Sequence, residues 1–249
     1  MVTGFRSDNP DAIVFVALYD LPEGSTLYLT DNAWTGEHQQ RETVHVYFVS
    51  FTCAIMIFFT HNIRPFPLSN AHCNSGTAFK TNEGTKKVTI PAGGINAGSI
   101  FSYESGSSAG TATHQLGDKW VSEAGRFALA GGGDAIFVYC LDDGPDGTPS
   151  VPVFLTAMTY SNDGWSQPNA TTFSTGQSAL PSDLPPTAVL TLSHKDNYLY
   201  VGPRNGTLAD LRLALSDGSN STYWDGDNNA TNLDVLHLDN QAPFAMSPA

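Results

Sequence analysis

Short apolar stretches separated by Gly, Pro and Asp recur along most of this chain of 249 residues. Residues 11–20 form a continuous apolar run, which is typical of a strand buried on both faces. Residues 26–30 alternate instead, so we expect Leu27 and Leu29 on one face and Tyr28 on the other. Further strands are predicted at 87–90, 99–103, 126–129, 135–139, 153–158, 188–192 and 198–201. Short strands with breakers between them indicate an antiparallel sandwich or barrel, and we expect an all-β, antiparallel β-sandwich.

One segment has the periodicity of a helix. Thr207 precedes residues 208–215, Asp210 follows three positions later, and Gly218 lies just beyond the end. This pattern combines a start similar to a capping box, an apolar face of leucines and a glycine stop. We therefore expect a single short helix that covers one open end of the sandwich.

Composition narrows the classes of partner. Charged residues make up 14% of the chain, and 11 Lys and Arg stand against 24 Asp and Glu, which gives a net charge of −13. Such an acidic surface is unsuited to nucleic-acid phosphates and to an anionic membrane face, so we expect no nucleic-acid partner. The length fits one β-sandwich domain over residues 1–249.

Residues 38–76 interrupt this single domain with a different composition. Positions 38–75 contain no Gly and one acidic residue, and their apolar core at 46–59 is shorter than the roughly 20 residues of a membrane span. One interpretation is a long loop or a buried helix hairpin, because the His and Cys spacings match no zinc site. The sharper hypothesis is an insertion that is not native sequence, such as a retained intron. Sequencing of transcripts tests it, since a dominant message containing the whole stretch would refute it.

No complete catalytic set is visible in the sequence. Residues 106–110 match the G-x-S-x-G nucleophile elbow, which needs a strand before it and a helix after it. Here the match lies in a Ser/Gly run without helical periodicity, and neither His194 nor His237 has an Asp partner suggested by spacing. A solvated loop is the simpler interpretation, so we expect a protein that is not an enzyme.

Residues 225–229 resemble the start of an EF-hand calcium loop. Asp225, Asp227 and Asn229 place oxygen-bearing side chains at the first, third and fifth positions, which suits Ca²⁺. Ala230 and Leu236 stand where the loop requires Gly and a bidentate Glu, so a true EF-hand is excluded. An irregular Ca²⁺ site at these three residues is one interpretation. The favoured alternative is that Asp and Asn cap turns.

Two tryptophans in loop-like contexts, Trp34 and Trp224, are candidate ligand-binding residues. Exposed indole rings stack on sugars or form protein interfaces. The favoured alternative is that each ring plugs the end of the sandwich, because large aromatic side chains are mostly buried.

Three pieces of sequence carry a resemblance to a known family: TDNAW at 30–34, PAGG at 91–94 and Gly133-Asp134. They resemble a β-rich domain of largely uncharacterised bacterial surface and secreted proteins, which also occurs in marine algae. The resemblance covers nearly the whole chain outside 38–76, and it implies a β fold without known catalytic residues. In general style, though in no particular motif, the chain is also similar to algal β-domain proteins that tile into shells around the pyrenoid.

The shared pieces also have a physical interpretation. Asp31 and Asn32 follow a strand, where an Asx-turn would bond backbone N–H groups and fix the position of Trp34. Gly133-Asp134 lies between two apolar segments and suits a hairpin that needs a positive φ. Both are expected to be scaffold roles.

An open sandwich has edge strands, and few Lys, Arg or Pro residues are placed to block them. We therefore expect a non-catalytic structural domain that associates with itself or with a surface or organelle matrix. The alternative is a Ca²⁺-dependent carbohydrate-binding or adhesion module with a glycan partner. The segment MVTGFRSDNP has no signal-peptide pattern, and an extracellular, cell-surface or organelle-lumen location is favoured.

Overall fold

The computed structural model describes residues 1–8, 10–35, 79–80, 83–105, 116–142, 151–167, 176–229 and 243–247. Their strands are β1 Val2–Arg6, β2 Ala12–Val16, β3 Thr26–Thr30, β4 Thr85–Thr89, β5 Ile100–Glu104, β6 Val121–Ala124, β7 Ala135–Asp142, β8 Val151–Thr159, β9 Val189–Thr191, β10 Asn197–Tyr200, β11 Asn205–Thr207, β12 Trp224–Asp227 and β13 Ala245–Ser247. The α-helix α1 covers Leu208–Ser216, and a short 3₁₀ helix covers Pro186–Ala188.

The strands form two facing sheets and one small separate sheet. The five-stranded sheet has the order β12-β10-β1-β2-β5, and the six-stranded sheet has the order β6-β4-β3-β7-β8-β9. The small sheet pairs β11 with β13. Neighbouring strands are antiparallel except for β8 with β9 and β11 with β13. The predicted all-β, antiparallel β-sandwich with one short helix is confirmed.

The core lies between the two sheets, where apolar side chains from both inner faces leave water. Phe5 and Phe15 of the five-stranded sheet and Leu27 and Leu29 of the six-stranded sheet belong to one buried cluster. Tyr28 points to the opposite face, where its ring stacks on Tyr139 with ring centroids 5.2 Å apart. The alternation read from residues 26–30 is therefore confirmed.

Helix α1 begins with the predicted capping box. Thr207 Oγ1 accepts a hydrogen bond from the Asp210 N–H at 3.2 Å, and the Thr207 N–H donates to Asp210 Oδ2 at 3.3 Å. Leu211 and Leu215 are buried in the core between the sheets. Because α1 packs beside β9 and the 3₁₀ helix, it covers the β9 edge of the six-stranded sheet.

The predicted strand at 126–129 is wrong, and the reason is a competition for backbone N–H groups. Phe127 and Leu129 are buried as a strand prediction requires. The N–H of Ala128, however, donates to an Asp31 carboxyl oxygen, and that of Leu129 donates to Asp11. Donors bonded to side chains do not join a strand ladder, so this segment pairs with no strand.

The atypical stretch 38–76 lies outside the described residues, but its flanks are neighbours. Trp34 and Phe79 form a β-bridge, and the Lys80 N–H donates to the Ala33 carbonyl at 2.9 Å. The β3–β4 hairpin is thus closed at the base of this stretch. Within the described part of the chain, no helix is long and apolar enough to cross a membrane.

Candidate functional site

Four carboxyl groups gather at one end of the sandwich, and we call Asp11, Asp31, Glu83 and Asp134 the acidic corner. Strand β3 is antiparallel to both of its neighbours, β4 and β7. The residue after β3 (Asp31) and the residues before β4 and β7 therefore meet at the same end. Asp11 precedes β2 in the facing sheet.

Asp31 is the centre of the corner, and its carboxylate connects two distant backbone segments. Its Oδ1 accepts a hydrogen bond from the Gly84 N–H at 2.7 Å, and its Oδ2 accepts one from the Ala128 N–H at 2.8 Å. Asn32 Oδ1 accepts from the Glu83 N–H at 3.0 Å. The role is that of a scaffold, as expected. The bonds are long-range, in place of the local Asx-turn that the sequence predicts.

Two of the other three carboxylates of the corner, those of Asp11 and Asp134, also accept hydrogen bonds from backbone N–H groups. Asp11 Oδ2 accepts from Leu129 at 3.1 Å, and Asp134 Oδ1 accepts from Ala135 at 2.8 Å. The neighbouring Gly133 has the predicted positive φ, 100°. A Cβ there would lie 2.6 Å from the Cα of Ser161, so the close approach of two backbones requires glycine at this position.

Burial raises the pKa values of these four carboxyl groups towards neutral pH. It raises the pKa of Asp31 to about 6, against the lowering effect of the bonds from Ala128 and Gly84. Burial first, and then the charge of Asp31, raise the pKa of Glu83 to about 7. The pKa of Asp134 is raised well above its usual value by burial and by Glu83 and Asp31, and burial also raises the pKa of Asp11.

The corner therefore holds backbone segments together through carboxyl groups whose pKa values are raised towards neutral pH. Its oxygens are used to hold the start of β4 and the segment 126–130 in place. In the described residues, no group of three or more His, Cys, Asp or Glu side chains has an arrangement that would hold a metal ion. No sequence pattern indicates Asp11 or Glu83, because a single acidic residue before a strand is an ordinary feature of a turn.

The residues of the predicted Ca²⁺ site lie along β12 and just after it. A Cβ at Gly226 would collide with the ring of Tyr198, so Asp225 and Asp227 point to the opposite face of the strand. Asp227 Oδ1 accepts a hydrogen bond from the Asn229 N–H at 2.8 Å. This local bond is the turn-capping role that the sequence favoured over a metal site.

The two tryptophans predicted as ligand-binding residues are both buried and lie in different clusters. Trp224 is 3% exposed in the core between the sheets, where it meets the Tyr200 ring edge-on at 5.3 Å. Trp34 is 9% exposed and packs edge-on against Phe79 and Phe154, on the outer face of the six-stranded sheet. Both rings are buried, as the favoured alternative requires, but they lie in the core and on an outer sheet face and not at the end of the sandwich.

The exposed edge strand β6 was missed by the sequence patterns, because VSEA has no apolar alternation. All four of its residues are exposed, and Val121 is 58% exposed. Lysines and carboxylates are mixed along this edge: Lys87 pairs with Glu123 at 3.5 Å, Lys119 pairs with Asp118 at 3.0 Å, and Lys86 Nζ donates to Ser122 Oγ at 2.8 Å. Five of the 11 Lys and Arg residues lie in β4 and the segments flanking β4 and β6: Lys80, Lys86, Lys87, Lys119 and Arg126.

Comparisons with protein-family models, with curated proteins and with solved structures find no match for this chain. The likeness to bacterial surface domains therefore remains a prediction. The candidate site consists of the acidic corner, which organises the fold, and of the sheet edges that the fold leaves at its surface.

Proposed function

We propose that this chain is a non-catalytic structural domain that associates with copies of itself, at a cell surface or in an organelle matrix. The observation that supports this proposal is the exposed edge of β6, where Val121 presents apolar surface beside strand backbone that pairs, among the described residues, with β4 alone. Such an edge favours the addition of another strand.

Two of the other three edges of the sandwich are covered. Helix α1 packs beside β9 at the far edge of the six-stranded sheet. At β5 the indole of Trp120 donates a hydrogen bond to the Ser102 carbonyl at 2.7 Å. Among the residues that the structure describes, β6 and β12 are thus the edges without such a neighbour.

The two open edges lie on opposite sides of the sandwich and differ in charge. Lys86 reaches across to the Tyr103 ring of β5, with Nζ 5.9 Å from the centroid, so β5 and β6 share one side. Strand β12 is at the other end of the five-stranded sheet and carries Asp225 and Asp227. A contact between the β6 side of one copy, where lysines and carboxylates are mixed, and the acidic β12 side of the next is heterologous and propagates into an array.

The same features limit the strength of this association. Strand β6 has four residues, and its pairing with β4 contains a register shift between Thr85 and Lys86. Bulges and charges on an edge reduce strand addition, and a net charge of −13 repels a second copy over long distances. We therefore expect assembly that grows with protein concentration and with the screening of repulsion by salt.

The non-catalytic part of the proposal rests on the acidic corner. Carboxyl groups with raised pKa values are typical of general acids and bases. Here, however, Asp11, Asp31 and Asp134 are engaged by backbone N–H groups, a structural use of the same chemistry.

The test replaces Val121 with Lys and compares it with Leu213→Lys. Both side chains are exposed and apolar, Val121 at 58% on β6 and Leu213 at 64% on helix α1, so the two variants change net charge equally. Light scattering over a range of protein and salt concentrations measures assembly, and negative-stain microscopy gives its form. We expect V121K to reduce the assembled fraction at least ~10-fold, because an edge lysine opposes strand pairing.

We expect L213K to assemble like the unaltered chain. A chain that stays monomeric at every concentration and salt condition would contradict the proposed function. Equal loss in both variants would show that charge and not the β6 edge controls the assembly.

A further inference from the structure

The C-terminal strand β13 is held as a docked peptide outside both main sheets. It is three residues long and pairs in parallel with β11, in the register Asn205 with Ala245 and Thr207 with Ser247. Both main sheets are complete without it. Its release therefore breaks no strand pair of the sandwich.

The docking depends on one aromatic anchor, Phe244, which is 3% exposed. Its ring stacks on Tyr200 with centroids 6.0 Å apart, and the Arg204 guanidinium lies 5.0 Å from its centroid. The Phe244 N–H donates to the Gly98 carbonyl at 3.0 Å, and the Ala245 N–H donates to the Arg204 carbonyl at 2.8 Å. These contacts are those of strand addition, with backbone bonds and a side-chain pocket.

Gly98 shapes this groove. It has a φ of 85°, and a Cβ at this position would collide with the Phe244 carbonyl oxygen. We call the surface formed by Gly98, Tyr200, Arg204 and β11 the terminal groove.

We propose that the terminal groove also accepts the Phe244 strand of a second copy, so that neighbouring molecules exchange their C-terminal strands. The inference rests on the proposed self-association and supplies a second contact that stabilises it. The exchanged contacts are identical to those within one chain, which is the general condition for a low-cost domain swap.

The fit of the docked strand explains why exchange is accessible. The Nη1 and Nη2 atoms of Arg204 are buried, and in the described part of the chain they have no hydrogen-bond partner. Burying charged donors without hydrogen-bond partners costs free energy, which offsets part of what the apolar contacts and the guanidinium on the Phe244 ring contribute. Exchange is therefore expected to increase with protein concentration.

The experiment is a complementation of two defective full-length variants. Phe244→Ala removes the anchor but keeps the groove, and Gly98→Val closes the groove but keeps the anchor. Ala245→Pro is a milder strand variant that removes the N–H donated to Arg204, and its matched control, Ala245→Ser, retains that N–H. Circular dichroism and thermal melting establish that each variant is folded. Size-exclusion chromatography with light scattering then measures dimers and larger species.

We expect F244A, A245P and G98V each to lower the fraction of strand-exchanged dimer at least ~10-fold, because each removes a contact that slows dissociation. A245S should keep the dimer fraction of the unaltered chain. An equimolar mixture of F244A and G98V regains a 1:1 dimer, because one intact groove then meets one intact anchor. If A245P and F244A each assemble as well as the unaltered chain does, strand exchange is wrong. Association through β6 would then still stand. A mixture that forms no dimer, while the unaltered chain does, also overturns it. Complete absence of assembly in the unaltered chain overturns both proposals.

Discussion

Asp31-Asn32 at the acidic corner and Asp227-Asn228 at the end of β12 are two of the five Asp-Asn pairs in this chain. The sequence predicts a turn at both. Asp31 is 1% exposed and holds the backbone of residues far away in the chain, at Gly84 and Ala128. Asp227 accepts from Asn229, two residues later. The same residue types therefore organise the fold at one place and shape a local turn at the other, and the difference lies in burial and in which donors surround them.

The largest expected effect contrasts Asp31→Ala with Asp225→Ala. Without the Asp31 carboxylate, the N–H groups of Gly84 and Ala128 lose their partners in a buried site. An unsatisfied buried donor costs about 1–3 kcal/mol, so we expect D31A to lower the free energy of unfolding by roughly 2–6 kcal/mol. Asp225 is exposed, and its replacement should change stability by less than about 0.5 kcal/mol.

Urea and thermal unfolding of both variants measure these values. Equal losses of unfolding free energy in the two variants would contradict this prediction, because the acidic corner would then support the fold no more than the surface of β12 does.

The second prediction concerns pH, and its sign follows from the raised pKa values. Asp31 and Glu83 titrate at about 6 and about 7 in the folded chain, against 3.8 and 4.5 for their ordinary values. Between the ordinary and the raised pKa values, the folded state binds more protons than the unfolded state. The stability that Asp31 and Glu83 contribute is therefore fully present below pH ~4 and is lost as the pH rises through ~6–7. From pH 8 to pH 5 we expect the melting midpoint to rise by roughly 3–6 °C.

The charges around the corner define the controls. Asp11 lies near the charge of Asp31, and Lys80 near that of Glu83, which it partly offsets. Glu83→Gln should flatten the pH dependence, because it removes one titrating group and its repulsion of Asp31. Asp225→Asn should leave the profile unchanged. A midpoint that falls on acidification from pH 8 to pH 5 would contradict the assignment of the corner as the dominant titrating group.

The sequence predicts what depends on local patterns. Alternation in 26–30 predicts the faces of β3, and Thr207 with Asp210 predicts the start of α1, because each is set by neighbours along the chain. The segment 126–129 shows the limit of such patterns. Its apolar residues are buried as in a strand, yet their N–H groups bond to Asp31 and Asp11, which are about a hundred residues away.

The candidate site is harder to predict for the same reason. Trp224 and Trp34 stand beside polar turn residues in the sequence, a context that fits both exposed and packed rings, and burial is the favoured alternative. Trp224 packs against Tyr200, and Trp34 packs against Phe79 and Phe154. These contacts depend on strands that come together only in the folded sheets. Strand β6 has no apolar alternation, and only its pairing with β4 defines it as an edge.

The smallest expected effect concerns Ca²⁺ at Asp225, Asp227 and Asn229, and it tests the adhesion-module alternative. Asp227 already accepts the Asn229 N–H at 2.8 Å, so a cation has to compete with this bond for carboxylate oxygen. We expect ~2 mM Ca²⁺ to move the melting midpoint by less than ~1 °C, with Mg²⁺ as the control for screening. A site filled at ten times its dissociation constant would add about 1.4 kcal/mol, which corresponds to roughly 3–6 °C. A shift of that size with Ca²⁺ but not with Mg²⁺ would indicate a cation site. If Asp227→Asn abolishes the shift and Asp31→Asn leaves it unchanged, the site lies on β12. The acidic side of the sandwich would then act by binding a ligand as well as by contacting a second copy.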